Sequence, residues 1–353
     1  MTPDPAEATA VGRVFGAESR RQLIDEYFAD AGGVTASNAW KHVYRLLLWI
    51  DRTTGLAHCY ESDKAQPGRP WYARSLAFHA WVAKALGTTP GGLGGEIDRL
   101  FTRGTEKLAS LIAGIESRRA AAAAGQRQPY EGLGFPIPGE DAGLEALITQ
   151  ELSSWVPEQL PLEGVRQLAQ KIRAYLTQEN KRKNLVGEGF EDVIAAVIQR
   201  LPGDTVPEVR TRPPLQSLPG FRPPPAGEKP RKVDLALLGR SGSRILVSAK
   251  WSVRADREEQ FVADFEAYAR LEDAGSDFGF VLITNEFDAA RLLAACEKRR
   301  QNALLFSEVV HVNPLGPATA YAGSKRGSAV RLRSHIQSGR LRALGDWLSA
   351  LSA

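Results

Sequence analysis

Two side chains of opposite charge, Asp234 and Lys250, stand on consecutive apolar segments, KVDLALL (Lys232–Leu238) and RILVSAK (Arg244–Lys250). Val233, Leu235 and Leu237 alternate with Asp234 and Ala236, while Ile245, Leu246 and Val247 form a short apolar run that ends at Lys250. The pattern predicts two β-strands joined as a hairpin, with Gly and Ser of GRSGS at 239–243 supplying the turn. A hairpin sets such positions side by side, so a carboxylate and an ammonium would meet at one sheet edge. A carboxylate there offers a hard oxygen to Mg²⁺, an ion that keeps waters for a substrate phosphate and a nucleophile. A neighbouring Lys orients or deprotonates that water and offsets charge on a phosphorane. The plain alternative is a salt bridge across the hairpin.

The chain continues Ser248, Ala249, Lys250, Trp251, Ser252, Val253, Arg254, Ala255, Asp256, Arg257. An Asp followed at this spacing by a strand ending in acid-x-Lys resembles the PD-(D/E)XK nuclease pattern, with Ser248 where most members carry Asp or Glu. Ser-x-Lys followed by Arg-x-Asp-Arg is similar to one branch of it, the type II restriction endonucleases that cut targets containing CCGG. The resemblance covers about residues 185–315. It implies an α/β restriction-endonuclease-like core, a mixed sheet flanked by helices, that hydrolyses double-stranded DNA with Mg²⁺ at a palindromic CCGG-containing site. On this resemblance Asp234 is the principal metal ligand, joined by the carbonyl of Ala249, and Lys250 positions the attacking water. Ser248 holds the vacated strand position. Asp264, on the following helix, replaces the missing acid, although the branch more often has Glu there. Glu191, in the segment Gly187–Glu191 that reads G-x-x-F-E, is the ligand expected from the first core helix, with Glu188 as its rival about one turn earlier. A palindromic target implies a two-fold homodimer, with a tetramer also open.

Arg254, Asp256 and Arg257 have a chemistry of their own. An Arg fork matches guanine O6 and N7 in the major groove, and a carboxylate accepts from cytosine N4. Two Arg and one Asp opening a helix therefore suit adjacent G·C pairs, each bidentate pair discriminating by roughly 1–3 kcal/mol. The plain alternative is a solvated helix start whose acid is favoured by the helix dipole. Two other functional readings stand beside the restriction enzyme. One is a PD-(D/E)XK nuclease of repair or defence with little sequence preference; the other is a catalytically inactive DNA-binding protein in which Ser248 marks a lost acid.

The elements that must position these residues belong to a chain of 353 residues, longer than one comfortable core. Residues 1–140 read as an all-helical N-terminal domain with its connector, and 141–353 as the catalytic and DNA-recognition domain. The net charge of +4 leaves many acids against the Lys and Arg, so any phosphate-binding surface is local. Cys59 and Cys296 are far apart without metal spacing and are expected to be structural thiols in a reducing compartment. No apolar run reaches the roughly 18 residues that span a bilayer, and no signal peptide is apparent, so a bacterial cytoplasmic protein with no membrane partner is expected.

Helical periodicity marks the N-terminal third, including the buried-looking run His42–Trp49 and the set Phe78, Trp81, Val82 and Leu86. Lys64, Arg69, Trp71, Tyr72 and Arg74 mix cations with aromatics at a helix entry, a composition that can also track a nucleic-acid backbone. Phe190, Ile194, Val197 and Leu201 give a stripe that should pack on the sheet. The basic run at 180–184 and the Pro-rich stretch 202–230, which carries Arg210, Arg212, Arg222 and Lys229, are further candidates to lie along DNA. Strands are expected at 279–285 and within 302–312, and a closing amphipathic helix around Leu341–Leu348 suits a subunit contact.

Overall fold

The structure, a computed structural model, describes residues 13–50, 67–69, 72–93, 99–127, 142–153, 161–203, 208–239, 242–253, 258–273 and 277–351. In chain order the first helices are α1 (Ala17–Asp30), α2 (Ala39–Ile50), α3 (Tyr72–Ala85), the single turn α4 (Pro90–Leu93), α5 (Arg99–Arg127), α6 (Ala142–Ser153) and α7 (Leu162–Gln199). The chain divides into two compact units, residues 1–19 with 101–184, and residues 20–100 with 185–353. This is not the boundary expected near residue 140. Hydrophobic periodicity says that a helix buries a face but not against what, and here α2 and α3 bury theirs in the same unit as the sheet. Tyr44 Oη donates to Asn285 Oδ1 at 2.6 Å, and the rings of Phe78 and Phe287 meet edge-on at 4.9 Å.

In the first unit, Phe15 stacks on Phe101 with ring centroids 5.6 Å apart. Gly104 makes room for it, since a Cβ there would stand 2.2 Å from the Phe15 ring. Val165 and Ala169 bury with Ile148, and Arg166 pairs with Glu145 at 3.7 Å.

The second unit is built on a sheet of six strands among the described residues, with helices flanking it. In chain order the strands are β1 (Glu208–Thr211), β2 (Leu235–Leu238), β3 (Arg244–Lys250), β4 (Gly279–Thr284), the two-residue pair β5 (Arg299–Arg300) and β6 (Ala303–Leu304), β7 (Glu308–His311) and β8 (Leu341–Ala343). The sheet order is β1-β2-β3-β4-β7-β8, with β5 and β6 pairing separately. β1, β2 and β3 run antiparallel, whereas β3-β4, β4-β7 and β7-β8 are parallel, so the sheet is mixed. Parallel neighbours need crossovers, which helices here supply: α8 (Glu258–Leu271), α9 (Ala289–Glu297), and then α10 (Leu315–Ala320) with α11 (Gly327–Gln337). The central strands are covered on both faces and read as unbroken apolar runs, with Phe280, Val281, Leu282 and Ile283 all buried.

The hairpin of β2 and β3 closes through Gly239 N–H to Ser243 O at 2.8 Å, with Gly242 at φ +83°. The stripe lands as its spacing requires, with Phe190, Ile194 and Val197 on α7 and Leu201 just past its end all buried. The Pro-rich stretch contains β1, and Leu215, Leu218 and Phe221 anchor it in the core. One expectation changes. The closing segment forms β8 and α12 (Leu344–Leu351), and its apolar side serves the chain's own core rather than a subunit contact, because Leu344, Trp347 and Leu348 are buried within the monomer. Among the described residues no helix is long and apolar enough to cross a membrane.

Candidate active site

Leu235 pairs with Val247 at the end of the β2–β3 ladder. One residue further, the same register sets Asp234 opposite Ser248, just before β2 begins. Ser248 and Lys250 share a face of β3 because side chains alternate along a strand. Lys250 Nζ accordingly lies 2.6 Å from Asp234 Oδ2. The same oxygen accepts the N–H of Ala249 at 2.9 Å and the hydroxyl of Ser248 at 3.4 Å. The Ser-Ala-Lys end of β3 thus wraps one carboxylate, and Ser248, itself buried, holds Asp234 from across the hairpin.

The other flank of Asp234 is Arg212. The β1–β2 register, from Glu208 opposite Leu238 to Thr211 opposite Leu235, continues through to a bridge between Pro214 and Lys232, which sets Arg212 opposite Asp234. The Arg212 N–H donates to Asp234 O at 2.8 Å, and its backbone sits at φ +51°. Its guanidinium reaches α7, where Nη1 donates to Glu191 Oε2 at 2.6 Å and Nη2 pairs with Asp192 Oδ1. The last turns of α7 are fixed by Phe190, fully buried and edge-on to Trp251 at 5.7 Å, just beyond Lys250. Glu191 therefore faces the hairpin. Burial, and then the negative charge of Asp234, push its carboxyl up to about 7, against the pull of Arg212 and Lys250. Glu188 goes elsewhere: half-exposed, it pairs with Arg20 Nη1 at 2.8 Å. Of the two rivals, Glu191 is the one beside Asp234.

Asp264, on α8, accepts from Gln260 Nε2 at 2.7 Å and from Arg231 Nη1 at 3.3 Å. Burial raises its carboxyl from the ordinary range, while Gln260, Arg231 and Lys250 draw it down and Asp234 pushes it up. It is thus within electrostatic reach of the Asp234–Lys250 pair but is held by its own partners.

Among the described residues no three His, Cys, Asp or Glu side chains converge to hold a metal ion together. The donor chemistry nevertheless fits Mg²⁺, which takes one or two carboxylates and fills its remaining positions with water and substrate oxygens. Glu191 and Asp234 are hard-oxygen donors whose charges oppose one another, and a cation between them would relieve that opposition.

Arg254, Asp256 and Arg257 lie outside the described residues; the backbone leading to them is described. Val253 N–H donates to Glu286 Oε2 at 2.7 Å, and Asn285 N–H donates to Trp251 O at 3.2 Å. Glu286 is almost wholly buried and accepts two more backbone N–H groups, from Phe287 and Asp288, at 2.8 Å each. Burial raises its carboxyl, while these donors and Arg291 pull it down.

Several of the other cationic candidates are engaged within the chain. Arg74 pairs with Asp288 at 3.3 Å and with the Tyr321 hydroxyl, and Arg210 pairs with Glu208 at 2.7 Å. Lys64, Trp71 and Cys59 fall outside the described residues, as do the side chains of 180–184. Asp192, Arg20 and Glu286 were not singled out from the sequence as site residues, and Arg212 was named only as a cation of the Pro-rich stretch, without its acid partners. Glu286 left a trace there, as an acid close behind the apolar strand GFVLIT.

No protein-family model matches this chain, and no curated protein is similar enough to be matched to it.

Proposed function

We propose that this chain is a Mg²⁺-dependent nuclease of the PD-(D/E)XK kind, and specifically a type II restriction endonuclease that hydrolyses double-stranded DNA at a palindromic site containing CCGG. The observation that carries the proposal is the 2.6 Å contact of Lys250 with Asp234 where the antiparallel and parallel halves of the sheet meet, with Glu191 alongside. Mg²⁺, when bound, would supply Lewis acidity toward a phosphoryl oxygen and a water of lowered pKa. Asp234, Glu191 and the carbonyl of Ala249 would hold it, with Asp264 as a further carboxylate from α8.

Lys250, freed from Asp234, holds the attacking water in line with the phosphorus and offsets charge as the phosphorane forms. Asp234 keeps its place meanwhile through the Ala249 N–H and the Ser248 hydroxyl. Arg254, Asp256 and Arg257 read the G·C pairs. Two copies related by a two-fold axis, or two such pairs as a tetramer, would each read half a site and cut one strand. Such an enzyme belongs in a bacterial cytoplasm as the cutting arm of a restriction–modification system.

Digestion of a sequenced plasmid with Mg²⁺, followed by mapping of the ends, tests this. Discrete fragments whose ends all fall at CCGG support it. A smear favours a nuclease of little specificity, and binding without cleavage favours a DNA-binding protein.

A further inference from the structure

We propose that Arg212 is a built-in counter-ion that competes with the divalent cation for Glu191, and so sets how much cation the site requires. This rests on the metal-dependent function proposed above. Each of the two acids is engaged by a cation of the chain itself: Asp234 by Lys250 at 2.6 Å, and Glu191 by Arg212 at 2.6 Å.

Arg212 is well placed to let go. Its guanidinium bridges two carboxylates, so when Glu191 turns to a cation, Asp192 still holds it. Asp192 in turn is steadied by Arg20, a fully buried side chain whose Nε lies 2.6 Å away. The Arg212 side chain remains 30% exposed, leaving room for it to swing.

Its backbone carries the same message. A non-glycine residue at φ +51° is strained, and glycine would sit there at ease. The strained conformation directs the side chain from the sheet edge toward α7, where the acids are.

The test is titration of the full-length protein with Mn²⁺ alone, as a stand-in for Mg²⁺, with free Mn²⁺ followed by electron paramagnetic resonance. Arg212→Gly, which suits the backbone angle, should bind Mn²⁺ about fivefold more tightly than the parent, the loss of a partly exposed ion pair of about 1 kcal/mol. In a Glu191→Gln background the same substitution should change nothing, because the contested ligand is gone. Equal or weaker Mn²⁺ binding by Arg212→Gly, with an unchanged circular dichroism spectrum, would overturn the proposal. Should Arg212→Gly fail to fold, Arg212→Asn replaces it: Asn tolerates a positive φ and carries no charge, so binding should tighten, and parental affinity would overturn the proposal. If the parent itself binds no Mn²⁺, the metal-dependent function fails with it; if the parent binds but Arg212 has no influence, only the role of Arg212 fails.

Discussion

Replacing Lys250 by Ala separates catalysis from a structural salt bridge, because the two roles predict losses of different size. The pair is partly exposed, 24% for Lys250 and 21% for Asp234, so its contribution to folding is screened and amounts to about 1 kcal/mol or less. Asp234 would keep the Ala249 N–H and the Ser248 hydroxyl, so no carboxylate is stranded. The melting temperature should therefore fall by only about 2–4 °C. If Lys250 positions the water and offsets phosphorane charge, its removal should slow cleavage by about 10²–10³-fold or more, equivalent to roughly 3–4 kcal/mol at the transition state. Single-turnover cleavage of supercoiled plasmid with Mg²⁺ measures the second quantity, and urea unfolding the first. Duplex binding without divalent ion should be unchanged. A variant that loses only this small stability but cuts at a rate close to the parent's would show the pair to be a hairpin salt bridge, and the site assignment would fall.

Three further outcomes are expected, the first two from the structure and the third from the proposed function. Glu286→Ala should destabilise the protein by about 3–5 kcal/mol in urea, since three backbone N–H groups lose a buried acceptor, whereas Glu286→Gln keeps one carbonyl oxygen and should cost less; equal effects of the two would refute the clamp. His311 is buried and accepts the Asn313 N–H at Nδ1, leaving Nε2–H to donate to Glu286 O, and burial lowers its pKa to about 4. A depressed folded-state pKa gives stability that is full above the unfolded value near 6.5 and lost as pH falls through 4, about 3 kcal/mol in all. His311→Gln should flatten the pH profile of unfolding over that window, and parallel profiles for parent and variant would refute this. Arg254→Ala or Arg257→Ala should relax preference at a single G·C pair by about 1–3 kcal/mol in competition binding, whereas a uniform loss on all duplexes would mark a phosphate contact instead.

The Asp234–Lys250 contact was legible because it depends only on short-range order. A tight hairpin and the period of two along each strand bring the residues together whatever the rest of the chain does. The same holds for the apolar stripe of α7 and for the unbroken central strand β4. The pairing of Arg212 with Glu191 was hidden for the opposite reason. The strand that Arg212 extends, β1, is four residues long in a Pro-rich stretch, and the Arg212 side chain meets Glu191 only because α7 has docked on the sheet.

Local pattern also favoured Glu191 while leaving Glu188, about one turn earlier, as its rival. The tertiary structure separates them, turning Glu188 to Arg20 and Glu191 to Arg212 and Asp234. It likewise gave the apolar sides of α2, α3 and α12 to the sheet-containing unit, where the sequence suggested a separate domain and a subunit surface. Periodicity records that a face leaves water; which surface receives it is decided by shape and packing density across the whole core, quantities that no window of neighbouring residues contains.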